Sequence, residues 1–240
     1  MAYEALARTP ATRDAAPDAA MDLLRRAITH RARVFAPDQT LVTEDDEKTH
    51  IIAVSSGLLR CSRMTPDGRR LVTRFVRAGG MIGLGRLPVF RSSVEAVTAS
   101  GVMEFPIPAV DAACSTLEYI RNIIFDALTA ELSARDRAQF RLGRLWAEER
   151  VADFLMEAAA ATGDGVQGEL RMSRADIADH LGVTIETISR ALRCFQKDGL
   201  ISLDGPRHFQ IVRTQQLKAL ALGDSDAHIW RDTPRLHSLH

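Results

Sequence analysis

Cysteine and net charge are both scarce in this chain of 240 residues, long apolar runs are missing, and each shortage removes a class of protein. The three cysteines, Cys61, Cys114 and Cys194, are odd in number and far apart. They argue against a disulfide framework or a thiolate metal cage and fit a reducing cytoplasm. Thirty-one basic residues balance thirty-one acidic ones. The molecule as a whole therefore offers a polyanion no electrostatic funnel, and nucleic-acid binding must rest on a local basic patch. No stretch approaches the roughly 18 apolar residues of a membrane span, and the first residues carry acids where a signal peptide would be apolar. A soluble, unexported protein with no membrane partner is expected. The seven histidines, His30, His50, His180, His208, His228, His237 and His240, are dispersed. They leave no clustered set of His and carboxylate ligands for a metal enzyme, so no catalytic, metal or cofactor-binding residue is expected.

What is present falls into five stretches. Residues 1–20 are rich in Ala, Thr, Pro and Asp without sustained apolar periodicity and read as a flexible tail, with a short amphipathic helix starting near Met21. Through residues 21–115 short apolar runs such as HIIAV, GLLRC and LVTRFV are punctuated by Ser56-Gly57, Pro66-Asp67-Gly68 and Gly79-Gly80. That spacing predicts a small antiparallel barrel or jelly roll. After Pro108 the period changes from 2 to 3.6. Over residues 116–143, Leu117, Ile120, Ile124, Ala127 and Leu128 make a stripe, with Ile123 beside it, too apolar to leave in water. A helix paired with a second copy of itself is the sharper reading; packing on the chain's own barrel is the other. Gly143 is the expected break before a DNA-binding domain at 144–222, and residues 223–240 read as a flexible tail.

Within 144–222 the punctuation is dense. Ser173, with Asp176 three residues on, is an N-cap signal for the helix SRADIADHL, which stops at Gly182. Thr184 caps the next helix, TIETISRALRCFQKD, and LISL and HFQIV flank the turn Asp204-Gly205-Pro206-Arg207. Helix, tight turn, helix and hairpin predict a winged helix-turn-helix. Wound at about 100° per residue, the second helix collects Glu186, Ser189, Arg190, Arg193 and Lys197 on one side and Ile185, Ile188, Leu192 and Phe195 on the other. Arg190 can donate two hydrogen bonds to a guanine, and Glu186 can accept from a cytosine amino group. Ser189 can hydrogen-bond or touch a thymine methyl. Ser173, Thr184, Arg193, Lys197 and Arg207 are expected on the phosphate backbone, adding affinity without sequence information. Cys194 lies beside this face, where Arg193 and Lys197 would favour a thiolate and oxidation would oppose phosphate.

A roll, a long helix and a winged helix-turn-helix in that order resemble the Crp/Fnr superfamily of bacterial transcription regulators. The most specific part is RMSRADIADHLGVTIETISRALRCFQKDGLI, supported by TPDGRR and by AEER at Ala147 to Arg150. The Glu186, Ser189, Arg190 pattern looks like the Fnr and FixK branch, because the catabolite-activator branch has an Arg where Ile185 stands. The resemblance implies an α+β chain: an N-terminal cyclic-nucleotide-binding-like antiparallel β-roll, a long dimerisation helix and the C-terminal reader. It also implies a homodimeric activator on a palindrome close to TTGAT-N4-ATCAA, meeting RNA polymerase and controlling oxygen-limited or redox-related metabolism.

The same resemblance marks departures. Iron-sulfur members hold their cluster with N-terminal cysteines, whereas the first cysteine here is Cys61, inside the expected roll. Cyclic-AMP members use a Gly-Glu and an Arg-Ser pair. Here Gly83 is followed by Leu84, and alignment on Val94 and Thr98 puts Phe90 where the phosphate-binding Arg belongs. Haem is harder to dismiss, since one His or Cys suffices as ligand, but His50 and Cys61 on strands are more simply packed core residues. An effector-gated regulator and, further off, a jelly-roll metal enzyme are the alternatives.

Overall fold

The computed structural model describes residues 17–224. Most of the two expected tails lies outside the described residues, but α1 (Pro17–Ala27) already occupies part of the first. Proline at the first helical position starts it with a preset φ, and Met21, Leu24 and Ile28 then bury one side. The chain divides into two compact units, one comprising residues up to Thr65 and Thr73–Arg135, the other Pro66–Val72 and the residues from Asp136 on. No helix among the described residues is long and apolar enough to cross a membrane. Among those residues no group of three or more His, Cys, Asp or Glu is placed to hold a metal ion.

Apart from residues 70–72, the first three of the fifth strand, which belong to the second unit, the first unit is the roll. Its strands are β1 (Arg31–Phe35), β2 (Thr40–Val42), β3 (His50–Ser56), β4 (Leu58–Met64), β5 (Arg70–Arg77), β6 (Met81–Ile82), β7 (Ser93–Ala96) and β8 (Ser100–Pro106). They make two four-stranded sheets, ordered β1-β8-β3-β6 and β2-β7-β4-β5. The period of two sorts β3 between two cores: Ile52 and Val54 face the interior of the roll, Ile51 and Ala53 the helices outside. Each fully buried Ile or Val contributes about 1.5–3 kcal/mol. The β3-β4 turn requires Gly57, whose φ is +86° and where a Cβ would stand 2.2 Å from Ser100 Oγ.

The roll interior is filled by side chains. Phe35, Ile52, Leu59, Cys61, Phe90 and Val94 belong to one buried cluster. Phe90 is 3% exposed, and its ring lies against His50, with centroids 5.6 Å apart. Burial pushes the Cys61 thiol up in pKa, against a smaller opposing pull from Arg74. Cys61 is a neutral, packed core residue. A cyclic nucleotide does not fit these residues: the position that the resemblance assigns to its phosphate ligand is the buried Phe90.

Two helices close the roll, α2 (Ile107–Thr116) and the long α3 (Glu118–Arg144). Here most of the stripe expected to meet a second copy packs on the chain's own roll. Ile120 is fully buried, and Leu117, Ile123, Ile124 and Ala127 pack with it on the roll's outer core. Leu128, the remaining member of the expected stripe, is 37% exposed and joins Phe125 and Leu132, 67% and 70% exposed, in an uncovered stripe. Spaced i, i+3 and i+7, these three share one helical face.

The second unit holds α4 (Ala147–Ala160), β9 (Gln167–Glu169), α5 (Arg174–Leu181), α6 (Ile185–Lys197), β10 (Ile201–Asp204), β11 (His208–Ile211) and α7 (Thr214–Ala221). The strands form a sheet ordered β10-β11-β9. Helix α3 runs through Gly143 and ends at Arg144, so the break falls at Leu145 and Trp146. The AEER sequence accounts for this. Glu149 accepts the Trp146 N–H at 2.7 Å, and Arg150 donates to the carbonyls of Leu145 at 2.9 Å and Leu142 at 3.0 Å. Nearby, Arg141 is held by Asp153 and Glu157, each at 2.6 Å. The Val72 carbonyl fixes the tautomer of His180: Nδ1 donates to it at 2.8 Å, and Nε2 accepts from Arg141 at 3.2 Å.

Candidate nucleic-acid interface

Helices α5 and α6 are set by local chemistry at their ends. The Ser173 side chain accepts the Asp176 N–H at 3.0 Å, and Asp176 accepts back from the Ser173 N–H at 3.3 Å, closing a capping box. Gly182 ends α5 in the left-handed region at φ +62°, where its chain can turn without a Cβ penalty. Thr184 opens α6 by accepting the Thr187 N–H at 3.2 Å. Ile188, Ala191, Leu192 and Phe195 are buried beneath it.

The outer side of α6 carries a concavity of about 370 Å³ lined by Ile185, Glu186, Ser189, Arg190 and Arg193. The three expected base readers therefore share one surface. Glu186 and Arg190 are exposed and Ser189 partly so. The Glu186 carboxyl is held below its usual range by its own backbone N–H, then by the Thr184 hydroxyl and by Arg190. It is a carboxylate, an acceptor only, as pairing with a cytosine amino group requires. Arg193, itself exposed, folds back to donate Nε to the Ser189 carbonyl at 3.2 Å. Lys197 is exposed at the far end, and Arg207 is exposed at the wing turn.

Three expectations need correction. Ile185 is not on the buried side of α6 but 46% exposed in the concavity. As the first helical residue it has no preceding turn to cover it. The Ser173 hydroxyl has spent its one proton on Asp176 Oδ2 at 2.8 Å, so in this arrangement it has none to donate to a phosphate. Cys194 is half-buried, and its thiol is pushed up by burial and by Asp198, which together outweigh Lys197, Arg190 and Arg193. Its neighbours do not make it a thiolate. Arg150 was missed as part of this region. It also donates to the Leu181 carbonyl at 3.0 Å, one residue before Gly182, and no local sequence signal announces a bond over that separation.

Residues 149–220 match the Crp-like helix-turn-helix domain, and residues 32–116 match the cyclic nucleotide-binding domain. With the reader on α6, these define a DNA-binding regulator built on a nucleotide-binding-type roll. The transcriptional activator protein FnrA of Stutzerimonas stutzeri is 30% identical over 206 residues, 83% of this chain and 84% of its own. The nitrogen fixation regulation protein FixK of Rhizobium meliloti is 32% identical over 186 residues, 78% of this chain and 85% of its own. The structure of FixK2 from Bradyrhizobium japonicum superimposes with a TM-score of 0.76 at 28% identity, covering 80% of this chain and 98% of that one. The chain belongs to the Crp/Fnr superfamily of transcription regulators, in its Fnr/FixK branch. It is a regulator and not an enzyme.

Proposed function

We propose that this regulator binds a palindrome close to TTGAT-N4-ATCAA as a homodimer and activates transcription in oxygen-limited or redox-related metabolism, in contact with RNA polymerase. The observation that carries the DNA reading is the shared concavity of Glu186, Ser189 and Arg190 on the exposed side of α6. Arg190 and Glu186 read a G·C pair from its two sides. Ser189 and the exposed Ile185 side chain present a hydroxyl and an apolar surface for thymine methyls. The name of one relative, a transcriptional activator, supports activation. The uncovered stripe Phe125, Leu128 and Leu132 supports pairing through α3. The buried Phe90 in place of a phosphate-binding Arg supports a regulator without a bound cyclic nucleotide, its activity then set by its own abundance.

Gel-shift titration against the palindrome and a scrambled duplex tests the reading; equal affinity for both would refute it. A genome-wide occupancy map in aerobic and oxygen-poor cultures tests the setting. The phosphate contacts are separable from the base contacts. Lys197→Ala is expected to weaken binding to every sequence and to flatten the dependence of log affinity on log salt by up to about one unit. A loss confined to one base position would contradict that assignment; the same phosphate role is proposed for Arg193 and Arg207, whereas the Thr184 hydroxyl, like that of Ser173, has its proton committed to a neighbouring carboxylate, here Glu186.

Cys194 is proposed as a redox-sensitive position through its place beside the base-reading face, with the raised thiol pKa making the reaction slow near neutral pH. Peroxide treatment is expected to lower the operator affinity of the wild type and to spare Cys194→Ala. Equal loss in both would remove Cys194 from the account.

A further inference from the structure

The first helix of the reader carries two acids on one face, and a single cation answers both. Arg70, from the Pro66–Val72 segment of the second unit, donates Nη2 to Asp176 Oδ1 at 2.8 Å and Nε to Asp179 Oδ2 at 2.7 Å. The Asp176 side chain is only 4% exposed, that of Asp179 32% and that of Arg70 25%. Two residues on, the Val72 carbonyl receives the His180 Nδ1 proton at 2.8 Å. The segment is thus fastened to α5 along one side by charge and by a neutral hydrogen bond.

The two acids have different reasons to be there. Asp176 closes the capping box and sits at the positive end of the helix dipole, so it is locally favourable. Asp179 lies past the first turn, caps nothing and gains little from the dipole. In a helix-turn-helix the first helix crosses the sugar-phosphate backbone. Uncompensated carboxylates there would repel the phosphates that the exposed Arg193, Lys197 and Arg207 attract.

We propose that Arg70 is a positioning residue for DNA binding, which neutralises Asp176 and Asp179 on α5 and so makes that end of the reader acceptable to the phosphate backbone. The proposal rests on the reading of α5 and α6 as the DNA-binding pair. Arg70 makes no base contact in this account; its influence is electrostatic and independent of sequence.

The test uses the full chain with the palindrome and a scrambled duplex of equal length, titrated from about 50 mM to 300 mM salt. Arg70→Ala is expected to weaken binding to both duplexes by the same factor, about three- to tenfold at the lowest salt, with the deficit shrinking as salt rises. Arg70→Lys should retain most of the affinity, since a charge is what is needed. Adding Asp179→Asn to Arg70→Ala should restore most of what was lost. Thermal unfolding of each variant is followed in parallel. Wild-type affinity in Arg70→Ala would overturn the proposal, as would a deficit that persists at high salt, resists Asp179→Asn or follows the melting midpoint instead of the charge. If the wild type itself binds neither duplex, the DNA reading fails first and takes this inference with it.

Discussion

Arg190→Ala is expected to cost about 1–3 kcal/mol at each TTGA half-site and to relax discrimination at the G·C pair. A two-fold dimer presents the residue twice, at well-separated positions, so the loss over a full palindrome is about 2–6 kcal/mol if the two effects add. The variant should fold normally, because Arg190 is exposed while Ile188, Leu192 and Phe195 beneath it supply the packing of α6. The measurement is a competition between the matched palindrome and one mutated at the G·C pair. Wild-type protein should prefer the match, and Arg190→Ala should lose most of that preference together with affinity. Unchanged discrimination would sink the base-reading role, whatever happened to affinity. Glu186 provides the contrast, because its carboxylate attracts no phosphate, so truncating it should change preference more than non-specific affinity.

The second large effect concerns α3. Replacing Phe125 and Leu132 by Glu puts charge on two side chains that are 67% and 70% exposed in the single chain. Folding of the roll should hardly change, since its outer core uses Ile120 and its neighbours on a different face of the helix. Pairing should fail, because four carboxylates would be brought together in a dimer interface. Without a dimer the two half-sites are no longer engaged at one another's effective concentration, and affinity for the palindrome should drop by about 10²- to 10⁴-fold. Sedimentation velocity should show a monomer with an unaltered circular dichroism spectrum. A variant that still sediments as a dimer would assign the α3 stripe to something else, and one that unfolds would show the stripe to be core.

Where chemistry is local, the sequence spoke clearly. Ser173, Gly182 and Thr184 mark the ends of two helices because a cap is decided within about four residues, and the structure places each at its helix end. The apolar run HIIAV likewise announced the strand β3, though not that both of its faces would be buried. Periodicity fails where it must name a partner. On helix α3 the pattern shows one apolar stripe that needs covering, but not that the roll takes most of it while Leu128 joins Phe125 and Leu132 outside. It misplaced Ile185 for a related reason, since projection on a helix wheel presumes a turn above the residue, and the first residue has none. It was silent on Arg70, Arg141 and Arg150, whose partners lie far along the chain and obey no period. The Ser173 hydroxyl shows the reverse error: a residue type suited to phosphate was recognised, but its proton was already committed next door.

One of those silent residues bears on how the binding experiments can be read. Arg150 donates to the Leu142 and Leu145 carbonyls at the end of α3 and to the Leu181 carbonyl at the end of α5. One positive charge therefore sits at the negative ends of two helix dipoles. Its acceptors are neutral, so dissolved anions and cations cannot exchange into this joint as they do into an ion pair. This joint should hold at salt concentrations that strip the reader from DNA. A salt titration then weighs the counterions displaced from the operator without a contribution from this joint, whereas the ion pairs of Arg70 and Arg141 in the same unit are salt-sensitive.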